Sequence, residues 1–70
     1  MTFDLTSIDN VDKLECNVLE NYERYINNTI VVSFIIHREL LEKYDHHVLY
    51  IEDIMTYMGI RVIIDRRRVV

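Results

Sequence analysis

Residues 29–65 read TIVVSFIIHRELLEKYDHHVLYIEDIMTYMGIRVIID, and the fold turns on how this stretch divides between strand and helix. Its first eight residues, TIVVSFII (29–36), are dense in β-branched side chains, and only Ser33 breaks one face, which predicts a strand. A strand apolar on both faces is usually central or covered on both sides. From His37 the spacing turns helical through Leu40, Leu41 and Tyr44, with Glu39 and Lys43 a favourable i,i+4 pair. After a break or kink at DHH (45–47), helical spacing is expected to resume from His46 to Met58. Its apolar side is Val48, Ile51, Ile54, Met55 and Met58; Asp45 is suited to cap it and Gly59 to end it. IRVIID (60–65) then opens a second strand, expected to continue to about residue 68.

Strand, helical crossover and strand make a βαβ unit, and residues 37–59 exceed the dozen or so that a parallel connection requires. Upstream, TFDLT (2–6) alternates and reads as a short strand or an extended arm. A long helix is expected over about residues 7–26. Ile8, Val11, Leu14, Val18, Leu19, Tyr22, Tyr25 and Ile26 recur at three and four, and Thr6 and Ser7 are suited to cap the start. Asp9 and Asp12 favour the positive end of its dipole, and INNT (26–29) ends it. The expected architecture is one small α+β or small α/β domain over residues 1–70. A long N-terminal helix precedes a β-α-(α)-β unit, with a two- to three-stranded sheet packed on helices.

Composition narrows the class. The 70 residues include ten Ile, eight Val and six Leu but no Ala, Trp, Gln or Pro, which is not a disordered composition. No apolar run approaches the roughly 20 residues of a membrane-spanning helix. MTFDLTSID lacks the basic start and apolar run of a signal peptide, so the expected location is the cytoplasm. The size would also fit a small viral accessory protein, and the location would then be the host cytoplasm. Cys16 is the single cysteine, which excludes an internal disulfide and favours a reducing compartment. A chain this short buries only roughly 60% of its unfolded surface. Two strands alone are marginal. A homo-oligomer, a dimer first, is therefore expected.

Charge is uneven on a chain of net charge −4: residues 1–36 hold six acidic and two basic side chains, whereas residues 60–70 hold four arginines and one aspartate. Three readings of Arg66, Arg67 and Arg68 compete. They pair with the acidic side of the first helix, in the same subunit or across a dimer, while guarding the edge of a terminal strand. They form a protein-binding patch, where arginine grips carboxylates with two bonds. Or, with Arg61, they contact phosphates, although the remaining acidic surface repels nucleic acid and no groove-reading motif is evident.

Other residues yield less. Adjacent His46 and His47 lie about 100° apart on a helix and lack zinc-site spacing even with His37 and Asp45; a polar turn is the simpler reading. Asp9, Asp12, Glu20, Glu23, Glu52 and Asp53 read as solvated faces, and neither Ser33 nor Cys16 has a partner at a spacing that makes a nucleophile. Tyr22 and Tyr25, and likewise Tyr50 and Tyr57, border apolar stripes, where Tyr and Met favour an interface rim.

These features point to a non-enzymatic interaction protein without cofactor, metal or membrane partner, self-associating and binding or inhibiting another macromolecule. The expected protein interface comprises Tyr50, Ile54, Tyr57, Met58, Arg66 and Arg68. The alternative is a nucleic-acid-associated protein that uses Arg61, Arg66, Arg67 and Arg68.

Overall fold

In the computed structural model, which describes residues 1–66, five strands and three helices form one α+β domain. The elements in chain order are β1 (Thr2–Asp4), α1 (Val11–Glu20), α2 (Tyr22–Tyr25), β2 (Thr29–Ser33), α3 (Phe34–Lys43), β3 (Val48–Ile51), β4 (Ile54–Tyr57) and β5 (Ile60–Asp65). The sheet order is β1-β2-β5-β4-β3; β1, β2 and β5 pair parallel, and β3, β4 and β5 pair antiparallel. The radius of gyration, 11.2 Å, is close to the roughly 11 Å of a compact chain this long. Among the described residues no helix is long and apolar enough to cross a membrane.

The parallel pairing of residues 29–33 with 61–65 agrees with the expected βαβ unit, but its surroundings differ. The sheet has five strands, not two or three, because residues 46–58 do not form a helix. Asp45–His47 makes a 3-10 turn, and Val48–Ile51 and Ile54–Tyr57 pair as a hairpin. Two periodicities coexist in this stretch. Val48, Ile51, Met55 and Met58 match a helix, yet Val48 and Tyr50 on one face with Leu49 and Ile51 on the other match a strand. The β-branched and aromatic content favours the strand, and Glu52-Asp53 closes a two-residue turn with Glu52 at a φ of 58°. Gly59 is correspondingly not a helix cap. It follows Met58 in a second two-residue turn, at φ values of 52° and 83°, joining Tyr57 to Ile60.

The expected strand over 29–36 stops at Ser33, whose hydroxyl accepts from the Ile36 N–H at 3.2 Å and caps α3. Ile36 and Leu40, four apart, are buried, whereas Phe34 and Ile35 are exposed. The long helix over 7–26 is shorter and broken. Asn10, rather than Thr6 or Ser7, caps α1 by accepting from the Asp12 and Lys13 N–H groups. Thr6 instead donates from its backbone N–H and its hydroxyl to Asp4. Asn21 then separates α1 from α2, its side chain donating to the Asn17 carbonyl.

Both longer helices lie on one face of the sheet. Val11, Leu14 and Val18 of α1 and Ile36 and Leu40 of α3 form one core with Ile30, Val32, Met55, Tyr57, Ile60 and Val62. β2 and β3 run in the same direction, so the crossover through α3 carries the chain back along the sheet as well as across it, from β2 to the far edge at β3. The hairpin then works back inward, and β5 fills the slot between β4 and β2. The last strand is therefore central, not an edge that arginines must guard. Beyond Asp65 the structure describes only Arg66, outside the strand; Arg67 and Arg68, with the expected extension to residue 68, lie outside the described residues.

Candidate functional site

The helix-covered face holds a polar network between α1 and α3. Lys43 Nζ donates to both Asp12 carboxylate oxygens at 2.7 and 2.8 Å, and the Tyr44 hydroxyl donates to Asp12 Oδ1 at 2.6 Å. These bonds hold the Asp12 carboxyl below its usual range, Lys43 first and Tyr44 second. Reciprocally, the bond to Asp12, then burial and the nearby charges of Asp12 and Glu15, push the Tyr44 phenol up to about 12. Through the neutral range Asp12 stays ionised and Tyr44 stays protonated. Neither group is poised to exchange a proton, so the network ties α1 to α3.

Beside it, the His47 ring stacks on Tyr44 at 6.2 Å and meets the edge of Tyr57 at 6.1 Å; His46 lies 4.0 Å from His47. Burial and then the Glu15 charge push the Tyr57 phenol well above its ordinary value. The Tyr57 hydroxyl has no partner in bonding geometry among the described residues, so Glu15 acts on it chiefly through space. His37 stands apart on α3, where burial and then Arg66 lower its pKa. Among the described residues, no three His, Cys, Asp or Glu side chains are placed together to hold a metal ion.

The opposite face of the sheet has no helix over it. The register sets two rows of side chains there. One runs Thr2, Thr29, Arg61, Thr56, Leu49 across all five strands; the other holds Asp4, Val31 and Ile63, with Ile54 and Ile51 on the hairpin. This side contrasts with the usual coverage of parallel strands on both faces. At the sheet margin, β3 exposes apolar side chains in both directions: Leu49, Tyr50 and Ile51 are 66%, 57% and 64% exposed. β3 has β4 on one side only, so its outer backbone groups are unpaired within the sheet.

The expected interface residues separate accordingly. Tyr50 and Ile54 are exposed on the hairpin, and Met58 is half-buried in its turn. Tyr57 is fully buried, because its position in β4 faces the helices, so it belongs to the core and offers no contact surface. Arg61 and Arg66 do not converge: five residues of strand, about 16 Å, separate them. Neither forms a hydrogen bond or ion pair among the described residues, so Arg66 does not pair with the acidic side of α1. Arg67 and Arg68 lie outside the described residues. The helical reading left Leu49 out and placed Ile51 on its apolar side without naming either as a contact residue; the β-branched and aromatic content of residues 48–51 is the signal that marks them as strand.

No protein-family model, no curated protein and no solved structure matches this chain.

Proposed function

We propose that this protein is a non-enzymatic interaction module that self-associates through the β3 edge. The observation behind the proposal is the edge itself: four consecutive apolar residues, Val48–Ile51, of which Leu49, Tyr50 and Ile51 are more than half exposed. Natural edges are commonly blunted by charge, proline, a bulge or a covering loop. Within β3 there is no charged residue and no proline. Antiparallel pairing of β3 with β3 of a second copy would satisfy the outer backbone groups of both. The same patch meets itself across a two-fold axis, the geometry of most homodimers. The two sheets would join into one, with Leu49 and Ile51 buried beside their counterparts. We place this association in the cytoplasm, and the joined sheet is the surface offered to a further macromolecule.

Nucleic-acid association fits the geometry less well. Arg61 and Arg66 stand at opposite ends of β5, and the uncovered face carries aliphatic and hydroxyl side chains rather than the aromatic rings on which bases stack.

The test is solution mass by light scattering over a range of concentration and salt. The wild type is expected to be a dimer that survives high salt, since backbone pairing and apolar burial are little screened. Leu49→Lys/Tyr50→Lys, which places charge on the edge, is expected to be a folded monomer. A wild type that is monomeric at every concentration, or a double variant that still dimerises, overturns the proposal.

A further inference from the structure

On the uncovered face, a depression of about 560 Å³ surrounds Arg61, walled by Ile26, Ile51, Ile54, Thr29 and Thr56. Its volume falls within the roughly 300–1,000 Å³ of small-molecule sites. Three features set it apart from the rest of the surface. Its wall is mixed: Ile26 of the α2–β2 connection and Ile51 and Ile54 of the β3–β4 hairpin are aliphatic, and Asn27, Asn28, Thr29 and Thr56 are polar. Arg61 forms no hydrogen bond or ion pair among the described residues, although the chain has twelve acidic side chains and only eight Lys and Arg. Finally, the register sets a threonine on each side of it, Thr29 on β2 and Thr56 on β4. The Thr56 hydroxyl donates to the Leu49 carbonyl at 3.1 Å and is held in place, while the Thr29 hydroxyl has no such bond among the described residues.

A guanidinium presents its donors as a planar fork that matches the two oxygens of a carboxylate. The isoleucines on one side of the guanidinium keep water off that side and strengthen the pairing. We propose that the depression is a binding site for a monoanionic amphipathic ligand, a carboxylate carried on a short aliphatic body. The carboxylate sits on Arg61 with the Thr29 hydroxyl as a further donor, and the aliphatic part lies against Ile26, Ile51 and Ile54. The Met1 ammonium also lines the depression but donates to the Asn28 side chain at 3.0 Å, so Arg61 is the cation there without a partner among the described residues, and one guanidinium balances one negative charge. Such a ligand is either a free aliphatic acid or the C-terminal carboxylate of a polypeptide that ends in apolar residues. The site shares Ile51 with the proposed self-association edge, but Leu49 and Tyr50, which the dimer test substitutes, do not line it, so solution mass and ligand binding report on the two separately.

The experiment is a titration of the intact protein with octanoate, read by amide NMR and calorimetry, with the solution mass recorded throughout. Octan-1-ol and acetate serve as controls, and acetyl-Leu-Leu with a free or amidated C-terminus separates the two sources. Octanoate or the free-carboxylate peptide is expected to move the amide signals of Thr29, Ile51, Thr56 and Gly59, with octan-1-ol, acetate and the amidated peptide about tenfold weaker or worse. Arg61→Met keeps the side-chain bulk and should lower that affinity about tenfold or more, as expected for a charge-assisted bond. The melting temperature should not change, because Arg61 has no internal partner to lose. Arg61→Lys, which keeps the charge but loses the fork, should fall between. Failure of both carboxylates to bind, binding to other residues, equal binding of octan-1-ol, or undiminished binding by Arg61→Met overturns the proposal.

Discussion

The Tyr22 hydroxyl on α2 donates to the carbonyl of Met58, 36 residues further along the chain, at 2.8 Å. Met58 and Gly59 are the two left-handed residues of the β4–β5 turn, so this bond clamps that two-residue turn to the helical layer. A left-handed methionine is unfavourable by itself, and the clamp offsets part of that cost. The turn also has little room: a Cβ on Gly59 would lie 3.3 Å from Ile26 Cδ1. Tyr22→Phe is expected to destabilise by about 1 kcal/mol, the usual net value of one hydrogen bond. Gly59→Ala should cost about 1 kcal/mol or more, since alanine at positive φ is strained. Because both act on one turn, their effects should not add. Chemical denaturation measures all three variants, and an unchanged midpoint for Gly59→Ala would contradict the turn geometry.

The boundary between β2 and α3 makes a second test, because strand and helix assign opposite roles to adjacent isoleucines. Ile36 is fully buried beside Leu40, and Ile35 is exposed. Ile36→Ala should lose about 2–5 kcal/mol, a large share of the stability of so small a domain. Ile35→Ala should stay within about 0.5 kcal/mol. Ser33→Ala removes the α3 cap and should cost about 1 kcal/mol. Equal losses at residues 35 and 36 in thermal or chemical unfolding would argue for a strand through both.

The Asp12–Tyr44–Lys43 network predicts a dependence on pH at both extremes. The Asp12 carboxyl lies below its ordinary 3.8 in the folded chain, so its contribution is present above that value and is lost as pH falls through the folded value. The Tyr44 phenol is raised from 10.0 to about 12, so its contribution is complete below pH 10 and is lost as pH rises toward about 12. Tyr44→Phe should therefore be less stable than the wild type near neutrality, with the gap closing in acid and in strong base. Its ultraviolet titration should also lack one phenol ionisation near 12. Melting curves from pH 3 to 11 for the two proteins check the first expectation, and a constant gap would refute it.

Among the described residues, His37 Nε2 is buried without a hydrogen-bond partner, and burial and then Arg66 lower its pKa from 6.5. A lowered histidine favours the neutral form, so its contribution is present above 6.5 and is lost as pH falls through the folded value. His37→Leu should keep its stability below pH 6.5 where the wild type declines. Arg66→Ala should raise the His37 pKa in an NMR titration, since the nearby guanidinium is its second cause. A wild-type His37 that titrates at its ordinary value would remove the basis for both expectations.

Local spacing was sufficient for some elements and not for others. Val11, Leu14 and Val18 lie on the face that periodicity assigns to the core, and residues 29–33 form a strand parallel to 61–65. The hairpin was hidden because Val48, Ile51, Met55 and Met58 satisfy a period of 3.6 while the same stretch satisfies a period of two. The Tyr57 phenol looked like an interface group because its burial depends on which face of β4 meets α3. The depression around Arg61 was equally invisible, since Thr29, Ile51, Thr56 and Arg61 come from four different strands.

By itself, the sequence determined a small aliphatic α+β domain, its first helical face and a parallel pairing between residues near 30 and residues near 62, because side-chain periodicity and turn chemistry act over a few neighbours. Tertiary structure alone decided the strand order β1-β2-β5-β4-β3, which puts the last strand in the middle and leaves β3 at the margin. The physical reason lies in long-range packing. The crossover through α3 skips two positions in the sheet, the hairpin takes up one of them with β4, and the other is the slot that β5 fills.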